Sequence, residues 1–353
     1  MLIVDSHLDL AMNALDWDRD LLLPAMEMRR REAGMTGKGR AASTVGLPDM
    51  REGQVFLSFA TLIARVAWPG SGVSGYRTAE IAYAHAQGQL AYYRLLQDLG
   101  EVRLITSGDA LERHLAQWSQ LPLGQPPLGF VISMEGADPI LSPAQVGRWW
   151  DDGLRIASLC HYGISRWAHG TGNPGGLLPG AYDLLRAMAE VGMILDVSHL
   201  ADQAMFEALD AFPGRVLASH HNCRALVPGD RQLSDEMIRL LIQRDAVIGA
   251  ALDAWMLYPG WVKGQTSNRV VSLEDYANHI DHVCQIAGNA RHAAIGSDLD
   301  GGYGYEQTPH DLHTIADLQQ LPAILQRRGY AEADIALVMH GNWIRLLRES
   351  LPG

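Results

Sequence analysis

The sequence predicts an α/β fold, a (β/α)8 TIM barrel with a binuclear metal centre at its C-terminal face. Three observations lead there. Eight apolar, β-rich runs recur along 353 residues, helical pattern separates most of them, and metal-ligand side chains gather where the runs end. Parallel strands are covered on both faces, so they read as near-continuous apolar runs, and alternation with helices marks such a sheet. In a barrel the C-terminal strand ends converge on one face, where active sites are built.

The first run is LIVDSH (2–7). Residues 24–53, holding RRRE and then GMTGKG, read as a long polar loop with a solvated charge run. QVFLSFATLI (54–63) is the second run, and the helical stretch RTAEIAYAHAQGQLAYYRLLQDLG (77–100) follows it. VRLITS (102–107) is short enough to be an accessory strand. LGFVISME (128–135) and LRIASLCH (154–161) come third and fourth, and the helical GAYDLLRAMAEVG (180–192) leads into MILDVSH (193–199). RVLASHH (215–221), AVIGAALDA (246–254) and AAIGSDLDG (293–301) complete the set. No Pro- or Ser-rich linker interrupts them, so the reading is one domain, 1–353, with a C-terminal helical tail from about 315 to 353.

Composition excludes several classes. The chain is 48% hydrophobic, enough for a full core, and its 28 Lys plus Arg against 40 Asp plus Glu give a formal charge of −12. That balance argues against a nucleic-acid partner, which wants a basic face. No apolar run reaches the ~18 residues of a membrane span. His7 and Asp9 stand where a secretory signal would place basic and apolar regions, and no lipid-anchor signal is visible, so the expectation is a cytoplasmic protein with no membrane partner. Cys160, Cys223 and Cys284 are odd in number and widely spaced, which reads as buried reduced thiols. Only two lysines occur, Lys38 and Lys263, against 26 arginines.

Strand 1 ends in His7 and Asp9, strand 3 in Glu135, strand 4 in His161, strand 5 in His199, strand 6 in His220 and strand 8 in Asp298. Side chains at i and i+2 share one face of a strand, so His7 and Asp9 can grip one ion together. Each residue alone has an ordinary explanation as a packed histidine or a helix cap. Seven of them at six strand ends are hard to assign to capping. Mixed imidazole and carboxylate donors suit zinc or a similar divalent ion. His7, Asp9, Glu135, His199 and His220 exceed one tetrahedral site with an open position, whereas two ions about 3.5–4 Å apart and sharing a carboxylate use them all. Neither lysine lies at a strand end, so a carboxylated-lysine bridge is excluded and Glu135 is the bridging candidate. His7 and Asp9 then hold one ion, His199 and His220 the other.

Several stretches together resemble the membrane (renal) dipeptidase family, zinc peptidases of the amidohydrolase superfamily. They are DSHLDL, GLPDMREGQVFLSFA, ISMEGAD, GMILDVSHL, ASHHNCRAL with DRQLSDE following, IGSDLDGG and HGNWIRLL, in order along nearly the whole chain. The resemblance implies the same five ligands and two Zn2+ ions. It adds His161 to polarise the scissile carbonyl, Arg231 to bind substrate, and Asp298 as proton carrier beside the nucleophilic water. The implied activity is hydrolysis of dipeptides, including those with a C-terminal D-residue, by a protein that is a homodimer like many relatives. A related amidohydrolase of N-acyl amino acids or cyclic amides is the alternative.

The chain departs from the family pattern around the pocket. The asparagine-rich continuation after strand 4 is replaced by HYGISRWAHG, and GGLLPG stands for a GLTPFG-like stretch. AALDAWMLYPG puts Asp253 where many relatives have an aromatic residue facing substrate. A carboxylate there is expected to repel a substrate carboxylate and attract an amine. Three further residues are left out of the site: His221, set to point away from His220, His169 in the loop AHGTGNPGG, and Asp196, read as support for a ligand. Trp149, Trp150, Trp255 and Trp261 read as packing.

Overall fold

A computed structural model describes residues 1–68, 74–119 and 126–353. Its strands are β1 (Ile3–Leu8), β2 (Val55–Ile63), β3 (Val102–Leu104), β4 (Leu128–Glu135) and β5 (Leu154–Ser158), then β6 (Ile194–Asp196), β7 (Val216–Leu217), β8 (Ile248–Ala250) and β9 (Ala293–Ile295). Every pairing between them is parallel. The path β1-β2-β4-β5-β6-β7 forms one curled sheet. The short β3 lies beside Leu128–Phe130, on β4 ahead of the Ile132–Met134 stretch that β5 takes, and is the accessory strand its length predicts.

The eight predicted runs all contain strands, but their ladder does not run unbroken around a barrel. β8 and β9 form a separate two-stranded sheet, joined to β7 by the single bridge Ala218 to Ile248. Polar groups of β1 bind the seam between β9 and β1. Ser6 Oγ donates to Ser219 O at 2.5 Å and to Ile295 O at 3.0 Å, reaching across the interior to two strand ends. Ser297 N donates to Asp5 Oδ1 at 2.9 Å, and Asp298 N to His7 O at 3.3 Å. A fully buried serine and aspartate inside an apolar run thus replace ladder bonds that the curvature forbids. The interior here admits no side chain opposite Ser6. A Cβ on Gly249 would lie 2.1 Å from Ser219 O, and one on Gly296 only 1.8 Å from it.

Helices cover the outside of the sheets. The helix Ala79–Asp98 starts at Thr78, whose hydroxyl accepts from Ile81 N, and buries Ala82, Ala86, Leu90 and Tyr93 on one stripe. The Tyr93 hydroxyl accepts from Ala11 N and donates to Thr61 O, tying that helix to the ends of β1 and β2. The C-terminal tail is helical over Leu321–Arg327, Glu332–Ala336 and Asn342–Ser350. Asn342 Nδ2 donates to Ala290 O and Ala293 O, and the Trp343 indole to Ile295 O, so the tail props β9. None of the described helices is long and apolar enough to cross a membrane.

Residues 24–53 are more ordered than a polar loop. They carry helices Ala25–Arg31 and Leu47–Glu52, the first burying Ala25 and Met28 at a one-turn spacing. The charge run is only partly solvated. Arg30 and Arg31 are exposed, but Glu32 is buried between Arg19 at 2.9 Å and Arg40 at 3.1 Å. Asp300 accepts from Ser43 Oγ, Thr44 N and Thr44 Oγ1, fastening the segment to the chain beyond β9. Cys160, Cys223 and Cys284 are buried and free, as their spacing predicts.

Gly296→Ala tests the narrow interior. Overpacking of this kind is expected to cost about 3 kcal/mol, read as a lower urea midpoint; unchanged stability would mean that the interior is wider than this.

Candidate active site

Seven of the predicted site residues, Asp9, Glu135, His161, His199, Arg231, Asp253 and Asp298, line one cavity of about 500 Å³ at the C-terminal strand ends. His7 and His220 do not line it but lie behind Glu135, 3.7 and 3.2 Å from its Oε1. Glu135 ends β4, and His161, His199, His220 and Asp298 each lie three residues beyond a strand. Leaving the ladder frees the chain to turn inward. His199 and Asp298 do so with φ of 67° and 58°, a left-handed conformation that non-glycine residues hold only under constraint.

Glu135 is the centre of the cluster. Its Oε1 lies 3.1 Å from His199 Nε2, 3.2 Å from His220 Nε2 and 3.7 Å from His7 Nε2. His7 Nε2 is also 3.8 Å from Asp9 Oδ1 and 3.8 Å from Asp298 Oδ1. Ligand atoms fall into three groupings that a metal ion would fit: His7, Asp9 and Glu135; Glu135, His199 and His220; His7, His220 and Asp298. Glu135 belongs to two of them. His7 Nε2 and Asp9 Oδ1 are buried with no hydrogen-bond partner. Orphaned buried donors and acceptors are costly, and a cation held between them removes that cost.

Electrostatics points the same way. Burial, with repulsion from neighbouring carboxylates added, pushes the carboxyl groups of Glu135 and Asp298 well above the usual range. Burial, with Arg65 opposing and Asp16 adding, pushes that of Asp9 up to about 7. Burial likewise pushes His7 down to about 3 and His199 and His220 well below their ordinary value. The imidazoles are therefore neutral, the form in which they bind metal. A bound cation would restore charge to the carboxylates.

Outer contacts orient the ligands. Asp196 accepts from Ser198 N, Ser219 N and Ser219 Oγ, and Ser219 Oγ lies 2.8 Å from His220 Nδ1. Thr171 Oγ1 lies 3.0 Å from His199 Nδ1. In both histidines Nε2 is left facing Glu135, and Asp196 is the support its position predicts. His221 Nε2 accepts from His199 N at 3.2 Å, so its role is to hold backbone.

The second group of predicted residues surrounds the first. His161 Nε2 is 3.7 Å from Glu135 Oε2. Arg231 is buried, not superficial: Nη2 donates to His220 O at 2.8 Å and Nη1 has no partner. Asp253 is buried too, and its Oδ1 accepts from Gln307 Nε2 at 2.6 Å and Trp255 N at 3.4 Å. A carboxylate so engaged, with Lys38 and Lys263 attracting it, repels an anion less than its bare sequence position implies. Trp149 packs in the core, while Trp255 and Trp261 line the cavity.

Sequence reasoning missed Arg65. It lines the cavity, and Nη1 contacts His161 Nδ1. A guanidinium only donates, so Nδ1 accepts and the His161 proton sits on Nε2, facing the cluster. The one signal in the sequence is its place two residues beyond the end of β2, on the face where the other strand ends gather.

Residues 1–351 match the profile of the membrane dipeptidase family, peptidase family M19. The chain belongs to that family. M19 relatives include dipeptidase aclJ of Aspergillus oryzae, 28% identical over 62% of this chain and 50% of its own length. Dipeptidase 3 of Rattus norvegicus is 24% identical over 72% of this chain and 50% of its own. The chain thus spans about half the length of such relatives. The fold is shared with the M19 metallopeptidase dipeptidase AC (TM-score 0.81, 20% identity, 100% of this chain and 99% of that one). A metallopeptidase of Rhodobacter sphaeroides bound to a phosphinate mimic of L-Ala-D-Ala is similarly close (TM-score 0.79, 20% identity, 99% of each chain).

Asp253 gives a test by pH. Burial raises its carboxyl from 3.8 to about 6, so the unfolded chain ionises first as pH rises, and stability falls between those values. Asp253→Asn should flatten that slope and be more stable than the parent above pH 6, by up to about 3 kcal/mol. Parallel stability curves for the two proteins between pH 3.8 and 6 would show that Asp253 titrates normally.

Proposed function

We propose that this protein is a zinc-dependent dipeptidase that holds two Zn2+ ions, one between His7 and Asp9 and the other between His199 and His220, with Glu135 shared. The observation that carries this reading is Glu135 Oε1 within 3.7 Å of three imidazole nitrogens while Asp9 and Asp298 stand beside them. Divalent ions so held supply Lewis acidity and lower the pKa of water to about 7.

The protein's own residues do the rest. Asp298 takes the proton of the attacking water and returns it to the leaving amine, as general acid–base catalysis requires. His161 Nε2–H donates to the carbonyl oxygen as negative charge grows there, and Arg65 fixes the tautomer that permits it. The unpartnered Nη1 of Arg231 meets a substrate carboxylate, whose charge offsets the burial of the guanidinium. The substrate is a dipeptide, and a C-terminal D-residue is accepted, a reading supported by the family and by the L-Ala-D-Ala mimic in the Rhodobacter protein. The protein is read as a single-domain cytoplasmic homodimer.

Two outcomes follow. Metal-loaded protein should cleave L,L- and L,D-dipeptides but not N-acetyl amino acids, and chelation should abolish turnover until Zn2+ is restored; turnover of the acetylated compounds alone would transfer the chemistry to another amidohydrolase. Glu135→Gln should bind less than two equivalents of metal, measured by elemental analysis, with the fold retained by circular dichroism. Two retained equivalents and full turnover would remove the bridging role.

A further inference from the structure

The chain has two lysines in 353 residues, and both reach the same place. Lys38 and Lys263, separated by more than two hundred residues of sequence, line the mouth of the active-site cavity. They also line an adjoining cavity of about 540 Å³, so that with Trp261 they form the wall between the two. Among the described residues neither lysine has a carboxylate within ion-pair distance, although most arginines of the chain do or bond to backbone oxygen. The Trp261 indole nitrogen is buried and has no acceptor. Three donor-only groups therefore converge without an acceptor.

The lysines are not on loose ends. Lys38 lies between Gly37 and Gly39, both with positive φ. A Cβ on Gly39 would lie 2.7 Å from the Trp17 ring, and its carbonyl accepts from buried Arg19 at 2.6 Å. Lys263 lies in a turn closed by Val262 N donating to Thr266 Oγ1 and Thr266 N to Val262 O. Two like charges held side by side repel, which burial of one and proximity of the other express as a Lys38 amine lowered to about 8. A protein of charge −12 with 40 acidic residues offers many ways to neutralise such a pair, yet among the described residues none pairs with either lysine within 4 Å, and Asp253 and Asp298 attract Lys38 only from farther off.

We infer that Lys38, Lys263 and the Trp261 indole form an anion subsite at the cavity mouth, which selects dipeptides carrying a second carboxylate, on an aspartate or glutamate side chain. This rests on the dipeptidase reading and names its substrate class. The α-carboxylate goes to Arg231, deep in the cavity. An acidic side chain pointing outward meets the lysines. A hydroxyl or amide would satisfy the donors but leave the lysine charges offset only at a distance, by Asp253 and Asp298, and an ammonium would add a third.

The experiment compares kcat/KM for Ala-Glu with Ala-Gln, Glu-Ala with Gln-Ala, and Ala-Lys, using metal-loaded protein and the Lys38→Gln/Lys263→Gln variant. In the wild type one glutamate position should be favoured over its glutamine isostere by about tenfold, the scale of two solvent-screened charge contacts. The preference should sit in KM and shrink at high salt. In the double variant the Glu/Gln ratio should fall to near one, and in Lys38→Glu/Lys263→Glu it should invert toward Ala-Lys. These ratios are internal to each protein, so a change in its folded fraction does not move them. A wild-type ratio of one or less, or an unchanged ratio in the glutamine variant, overturns the subsite while dipeptide cleavage stands. Failure to cleave any dipeptide overturns the dipeptidase reading itself.

Discussion

Burial and mutual repulsion set the carboxylates around Glu135 against their charged forms, a cost that Arg65 and Arg231 offset only in part and a bound cation would relieve. Asp9, Glu135 and Asp298 are brought within reach of one imidazole, away from water, and each carboxylate raises the cost of ionising the others. The four surrounding histidines do not help, because burial disfavours their charged, doubly protonated form. Much of the neighbouring architecture holds this arrangement in place. Asp196 and Ser219 fix the His220 imidazole, Thr171 that of His199, and left-handed backbone aims His199 and Asp298 inward. Such expenditure of strain and polar burial belongs to a site that is completed by a ligand.

The clustering of His and carboxylate side chains was legible because each closes an apolar run, and the geometry of parallel strands carries those ends to one face. Strand periodicity brings His7 and Asp9 together for the wrong reason: β1 ends at Leu8, and Asp9 reaches the His7 imidazole, 3.8 Å away, from the non-extended turn that starts helix Leu10–Trp17. The closure of the barrel was not legible. Nothing in LIVDSH announces that Asp5 and Ser6 would bond across the seam in place of a ladder, since the signal is a polar residue inside a buried strand and its partners lie over two hundred residues away. Arg65 was missed for a different reason. Its chemistry is to orient a histidine by donating to it, and spacing does not reveal a contact between β2 and the chain after β5.

The pocket wall corrects two sequence readings together. Asp253 looked like a bare carboxylate facing substrate, yet its oxygen is already committed to Gln307, a residue that no motif singles out. Residues 24–53 looked like solvent-facing loop, yet Glu32 and Asp300 gather the segment's Arg40, Ser43 and Thr44, together with Arg19 from outside it, into a buried network that ends where Arg19 donates to Gly39 O. The charges in that segment act as internal fasteners, and the Lys38 turn is what they fasten.

The close approach at Gly249 and Gly296 sets a limit on how this molecule can diverge. Where Ser219 O sits within 2.1 Å of any added carbon, no side chain is admissible, so change at the waist requires the strands themselves to separate. The rim obeys the opposite rule: its turns hang from a few anchoring bonds, and their outward residues can be exchanged without moving a strand. Variation in this architecture is therefore graded along the strands, with the buried His and carboxylate cluster fixed from below and the shape and charge of the opening free to drift above it.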